Sequence, residues 1–159
     1  MKVKPLKKGA IKLMVYDFDG VMTDNRVLQL QDGTEAVWVS RADGWGIDQI
    51  RKMGIPQLIL STERNPVVAA RAKKLNIEVI HGSGDKKADL LGYCSRMQID
   101  LRSVLYVGND VNDLEAMRVI GFPVAPADAH PSIIAIAKYV TRVKGGEGVI
   151  KELSEYVAN

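Results

Sequence analysis

The chain has 159 residues, 47% of them apolar and 26% charged, with a formal net charge of +3. Those proportions fit one domain over residues 1–159 with a proper hydrophobic core. They exclude a strongly basic nucleic-acid surface, because no Lys/Arg cluster is interleaved with aromatic residues, and no apolar run nears the roughly 20 residues needed to span a bilayer.

In chain order, Lys2, Lys4, Lys7 and Lys8 form the only local basic excess and read as a solvated arm; no secretory leader is recognisable. Residues 11–16 are a buried strand that ends on Asp17. Residues 27–30 and 35–39 are two strands joined at Gln31-Asp32-Gly33, where Asp-Gly signals a hairpin turn. Residues 43–53 carry apolar positions at helical spacing, with Asp43 as the expected N-cap. A strand at 57–60 ends on Ser61-Thr62, and a helix over 66–75 has Pro66 near its first turn. A short strand at 78–80 precedes a helix over 86–97, which holds the single cysteine, Cys94. One cysteine permits no internal disulfide and points to a reducing, cytoplasmic setting, and its helical place marks it as a packed thiol. A strand at 104–107 ends on Gly108-Asn109-Asp110, and a helix is expected over 110–119. A strand at 122–125, a helix over 131–137 and a helix over 148–157 complete the pattern. Strands alternating with helices predict right-handed crossovers and a doubly wound parallel α/β sheet. The hairpin insertion at about 25–40 is the one interruption, and a tail covers about 142–159.

In such a sheet, ligands gather at the carboxyl ends of the strands. Asp17 and Asp19, Ser61 and Thr62, and Asn109, Asp110 and Asp113 should therefore converge, joined by Lys86 at the start of its helix. Taken singly, each is an ordinary turn, cap or surface residue; together, at successive strand ends, they suit phosphoryl transfer through a carboxylate. A phosphomonoester dianion repels a carboxylate nucleophile, so the reaction calls for a divalent cation, and Mg2+ takes hard oxygen ligands. Asp17 is then the nucleophile and a metal ligand. Asp19, two residues on, is placed to protonate the leaving oxygen and later to deprotonate water. Ser61 and Lys86 would hold the phosphoryl oxygens where transition-state charge spreads.

Asp17-Phe18-Asp19-Gly20-Val21-Met22-Thr23 resembles the first motif of the haloacid dehalogenase superfamily, and the resemblance runs the length of the chain. Ser61, Lys86 and Gly108-Asn109-Asp110-Val111-Asn112-Asp113 stand at the second, third and fourth motifs. The resemblance implies that Asp19 also ligates Mg2+ through its carbonyl, and that Asn109 or Asp110 completes the metal site with Asp113 in support. Within the superfamily the chain looks like the capless phosphatases of 3-deoxy-D-manno-octulosonate 8-phosphate (KDO 8-phosphate), on account of the hairpin, Asp43-Gly44-Trp45-Gly46-Ile47, Gly84-Asp85-Lys86-Lys87, residues 125–131 and Gly145-Gly146-Glu147-Gly148. That group implies a homotetramer in which a neighbouring subunit closes each site, with the stretch at 145–148 reaching an adjacent one.

Two positions depart from the pattern. Asn109 stands where a metal-binding acid is usual, which removes one charge from the metal site. Ser61-Thr62-Glu63-Arg64 replaces Thr-Gly-Arg and is similar to phosphatases of nine-carbon 2-keto-3-deoxy nonulosonate 9-phosphates, as well as to phosphatase-like modules of sialic-acid activating enzymes. The substrate is thus a sugar acid phosphate of eight or nine carbons, bound near Gly20, Thr62, Glu63, Arg64 and Arg71; Arg41, Arg64 and Arg71 are the candidates for its carboxylate. His81 and His130, with no partner at metal spacing, read as loop or capping residues. A non-catalytic tetramerisation module is the alternative of another class, favoured only by Asn109; a phosphoacceptor receiver domain would carry its aspartate on a later strand.

Overall fold

The computed structural model describes residues 9–158, so the basic arm expected at Lys2, Lys4, Lys7 and Lys8 lies outside the described residues. Six parallel strands form the sheet: β1 (Leu13–Tyr16), β4 (Gln57–Leu60), β5 (Glu78–Ile80), β6 (Val104–Val107), β7 (Phe122–Ala125) and β8 (Tyr139–Val140). Their order is β5-β4-β1-β6-β7-β8. The chain winds outward from β1 in one direction and then in the other, so the strand order reverses beside β1 and opens a crevice there. Strands β1, β4 and β6 are buried on both faces, as their unbroken apolar runs require.

Helices cover both faces. Met14 and Tyr16 of β1 point into a cluster with Ile47 and Ile50 of α1 (Arg41–Lys52), Val68 and Ala72 of α2 (Val67–Leu75), and Ile150 and Leu153 of α6 (Val149–Ala158). Leu13 and Val15 point the other way, among Leu90, Tyr93 and Cys94 of α3 (Lys86–Arg96), Ala116 and Met117 of α4 (Leu114–Met117) and Ile133 of α5 (Pro131–Ile136). Cys94 is buried, as its helical position implied. Strands β2 (Thr23–Gln29) and β3 (Glu35–Val39) pair antiparallel as a separate hairpin. No helix among the described residues is long and apolar enough to cross a membrane.

Three elements differ from expectation. Ser40, not Asp43, caps α1: its hydroxyl accepts the Ala42 N–H at 3.1 Å, and the helix starts two residues early. Asp43 is fully buried and accepts the Ile150 N–H at 2.9 Å. The helix expected over 110–119 shortens to a 3-10 turn, Val111–Asp113, followed by the single turn of α4. The reason is Asp113, whose carboxylate accepts the Asn109 and Asp110 N–H groups at 2.9 and 3.3 Å and bends the chain back on itself. Strand β8 is only two residues long, too short for periodicity to reveal.

Candidate active site

Strand β1 delivers Asp17 to the crevice with its backbone fixed by Asp17 N–H donating to the Val107 carbonyl at 2.9 Å. The chain then turns sharply, with Met22 and Thr23 N–H both donating to the Phe18 carbonyl. Gly20 makes this turn possible. Its φ is +82°, and a Cβ there would fall 1.9 Å from the Asn109 amide. The turn brings Asp19 back over Asp17, where the Thr23 hydroxyl donates to Asp19 Oδ1 at 3.2 Å.

Opposite Asp17, Lys86 opens α3 just inside the Asp85 N-cap, whose carboxylate accepts the Ala88 N–H at 3.0 Å. Its ammonium lies 2.9 Å from Asp17 Oδ1 and 2.6 Å from Asp113 Oδ1, with all three side chains almost wholly buried. Asp113 also accepts from the Tyr106 hydroxyl at 2.9 Å, so it anchors the lysine, the β6 loop and the core at once. Burial, and then the Asp113 carboxylate, push Asp17 up to about 8, against the pull of Lys86. Burial pulls Lys86 down, but Asp17 and Asp113 more than offset it and the net shift is upward, so the lysine stays charged. Asp19 sits above the ordinary carboxylate range mainly through burial; Thr23 draws it back and the Glu63 carboxylate pushes it further. A raised carboxyl at this place suits a group that must give a proton to a leaving oxygen.

The crevice, about 200 Å³, is lined by Asp17, Asp19, Ser61, Thr62, Asn109 and Asp110, together with Asn25 and Asn112. Ser61 is buried at the end of β4, its hydroxyl accepting the Glu63 N–H at 3.1 Å. Asn112 reaches across to the Thr62 hydroxyl at 3.4 Å. Asn25, in β2, and Asn112, seen only as one position of the fourth motif, were given no role from the sequence, because a single asparagine carries no pattern of its own.

Between the two candidate metal ligands the geometry favours Asn109. One terminal atom of its amide lies 2.9 Å from the Asp19 carbonyl oxygen and 3.1 Å from Asp17 Oδ2. As nitrogen, that atom donates to both oxygens. As oxygen, it stands from each of them at the separation expected for adjacent ligands of an octahedral Mg2+, which lie about 3.0 Å apart at bond lengths of about 2.1 Å. Asp110 is exposed at the rim, and its carboxylate accepts the Val111 N–H. Among the described residues no three His, Cys, Asp or Glu side chains converge on a metal site; the cradle is one carboxylate, one carbonyl and one amide, and it fits a hard cation. Restoring the charge should strengthen it. We expect Asn109→Asp to bind Mg2+ about tenfold more tightly by calorimetry without substrate. The metal-free variant should melt lower than wild type, since a second carboxylate would then face Asp17.

A second cleft of about 240 Å³ continues from Asp19 between the hairpin and the β4–α2 loop, and Arg26, Glu35, Glu63 and Asn65 line it. Asn65 donates to Glu35 Oε2 at 2.9 Å, tying the loop to the hairpin, and Glu63 Oε1 accepts the Arg64 and Asn65 N–H groups at 2.6 and 2.7 Å. The three arginines expected to hold the substrate carboxylate, Arg41, Arg64 and Arg71, do not line this cleft. Arg64 is exposed, and Arg71 donates to the Ser40 carbonyl at 2.8 Å and lines a different cleft with Arg41 and Arg51. Residues 145–148 lie against the chain's own first-motif turn, Gly146 N–H donating to the Val21 carbonyl at 3.0 Å. His130 caps α5 through its ring, and His81 is exposed.

Comparison with known proteins decides the family. A model of haloacid dehalogenase-like hydrolases matches residues 39–153. The chain belongs to the haloacid dehalogenase-like hydrolases. Within them it sits in the KdsC-like group of phosphatases. The 3-deoxy-D-manno-octulosonate 8-phosphate phosphatase KdsC of Yersinia pestis is 33% identical over 92% of this chain and 79% of its own length. The Moraxella catarrhalis phosphatase of the same name, solved with a magnesium ion, a phosphate ion and KDO, superposes with a TM-score of 0.90 at 32% identity, over 93% of this chain and 86% of that one. A HAD family hydrolase from Streptomyces avermitilis reaches a TM-score of 0.94 at 49% identity, over 97% of this chain and 88% of that one.

Proposed function

We propose that this phosphatase hydrolyses KDO 8-phosphate, releasing the sugar acid and inorganic phosphate, with Mg2+ held by Asp17, the Asp19 carbonyl and Asn109. The observation that carries the reading is the buried Asp17–Lys86–Asp113 cluster facing Asp19 across the crevice. Bound in that cradle, Mg2+ supplies positive charge that offsets the repulsion between the phosphoryl dianion and Asp17. Asp17 attacks phosphorus through one carboxylate oxygen and forms an aspartyl phosphate while the ester bond breaks. Asp19, its carboxyl raised above the usual range, gives its proton to the departing alkoxide and then takes one from the water that hydrolyses the intermediate. Ser61 and Lys86 hold the non-bridging oxygens, and Asp113 keeps the lysine aimed.

The leaving group extends into the cleft beside Asp19. Exposed Val27, Leu28, Leu30 and Trp38 on the hairpin support a homotetramer in which a neighbouring subunit covers that cleft, and Cys94 remains a thiol in a reducing cytoplasm. The nine-carbon alternative rests on Glu63, which lines the same cleft. The test is phosphate release with Mg2+ from KDO 8-phosphate and from a nine-carbon 2-keto-3-deoxy 9-phosphate, compared by kcat/KM. Preference for the first supports the assignment, preference for the second transfers it to the longer acid, and inactivity on both would favour a non-catalytic assembly role.

A further inference from the structure

Asp43 takes no part in the chemistry above, yet it is a fully buried carboxylate. It stands in α1 and accepts the Ile150 N–H at 2.9 Å; burial raises its carboxyl to about 6, against the pull of the Ile150 and Lys151 N–H groups. Those two amides are the second and third of α6, the ones an N-cap side chain ordinarily satisfies. Gly148, immediately before α6, has no side chain to do so. Asp43 therefore caps α6 from another helix. The approach is close: a Cβ on Gly46, one turn along α1, would stand 2.6 Å from the Lys151 nitrogen.

What α6 carries at its capped end is the turn at 145–148. A Cβ on Gly145 would lie 2.1 Å from the Gly20 carbonyl oxygen, and one on Gly146 would lie 2.6 Å from the Asp24 nitrogen. Gly146 N–H donates to the Val21 carbonyl, and Gly145 N–H to Asp128 Oδ1 at 2.9 Å. The supported segment, Gly20 to Asp24, includes Thr23, whose hydroxyl donates to Asp19 and accepts from the Gly20 N–H at 3.2 Å. A continuous set of contacts thus runs from Asp43, through the start of α6 and the glycine turn, to the carboxylate of Asp19.

We propose that Asp43 is a positioning residue for Asp19: by capping α6 in trans it seats the 145–148 turn beneath the first-motif loop and sets the aim of the general acid. This rests on Asp19 being the general acid. The contacts reach Asp19 through its own loop and leave Ser61 and Lys86 untouched, so the effect should fall on the proton transfers of Asp19, and during ester cleavage only where the leaving oxygen needs a proton. Asn in place of Asp43 keeps an oxygen able to accept the same amides; Ala does not.

The experiment compares single-turnover rates of ester cleavage, the step before the aspartyl phosphate is hydrolysed, for KDO 8-phosphate, or any primary alkyl phosphate the wild type turns over, and for p-nitrophenyl phosphate, whose phenolate departs without a proton. A general acid is worth roughly 10²- to 10⁴-fold, so Asp43→Ala should lower the cleavage rate of the alkyl ester by about tenfold or more while changing that of p-nitrophenyl phosphate by under about threefold. KM should stay unchanged, and Asp43→Asn should restore the alkyl rate. Should Asp43→Ala not fold, Asp43→Ser, with a shorter cap, should show a smaller loss of the same selectivity. Asp19→Asn is the control. If it slows the cleavage of both esters alike, the reading of Asp19 itself falls. If it is selective but the Asp43 variants slow both esters equally, or neither, Asp43 is only structural and the proposal is overturned.

Discussion

Asp17→Asn should abolish phosphate release, lowering kcat by about four orders of magnitude or more, while leaving a folded protein. The side chain is buried at the end of β1, and the Phe18 N–H that donates to Oδ1 at 2.7 Å can donate equally well to an amide oxygen. Lys86 keeps Asp113 as its partner. Burial already disfavours the ionised form of Asp17, so removing its charge should leave the metal-free melting temperature unchanged or raised. The substitution thus separates chemistry from folding. An amide cannot form the acyl phosphate, so acid-quenched wild type incubated with labelled substrate should carry protein-bound phosphate and the variant none. Turnover by the variant above one part in a thousand would mean that another group attacks phosphorus.

Lys86→Met should be the most costly single change to stability. It leaves Asp17 and Asp113 facing each other in the interior without the ammonium between them. Breaking a buried ion pair from one side costs about 3–5 kcal/mol, because the remaining charge is stranded. The loss should be greatest at high pH, where Asp17 is ionised, and should shrink as pH falls and Asp17 takes a proton, since burial already raises its carboxyl to about 8. Mg2+ should recover part of it, so the metal-induced rise in melting temperature should be larger for the variant than for wild type. Activity should fall at least a hundredfold if, as proposed, the same ammonium holds the phosphoryl oxygens. A variant that melts like wild type in the absence of metal would show that the cluster contributes nothing net.

The strands around the site were legible because each is a short apolar run closed by polar or glycine residues, and β4, β5, β6 and β7 span the residues expected of them. Asp17, Asp19, Ser61, Thr62, Asn109 and Asp110 meet as a parallel sheet requires, since every one of them follows a carboxyl end or the turn beyond it. Lys86 faces Asp17 by the same logic. What escaped notice depends on contacts between distant segments. Asp43 looked like a local cap because local spacing cannot reveal that its partner amide lies at Ile150. Asp113 was expected beside the site but within a long helix, and only its four bonds to Lys86, Tyr106 and the backbone of Asn109 and Asp110 explain why that helix is short. Arg71 lay on the expected helix, but the direction of its side chain, toward Ser40, is a property of packing.

The central place of β1 bears on how the chain reaches its native state. Met14 pairs with Gln57 on one side and with Leu105 on the other, so the earliest-made strand of this sheet is framed by two of its later ones. Until residue 107 has emerged, a wholly apolar strand has at least one open edge, the arrangement that invites pairing with another chain. Long-range parallel pairing of this kind is intrinsically slow. The nascent protein should therefore be most prone to aggregation, and most dependent on chaperones, after β4 is made and before β6 arrives.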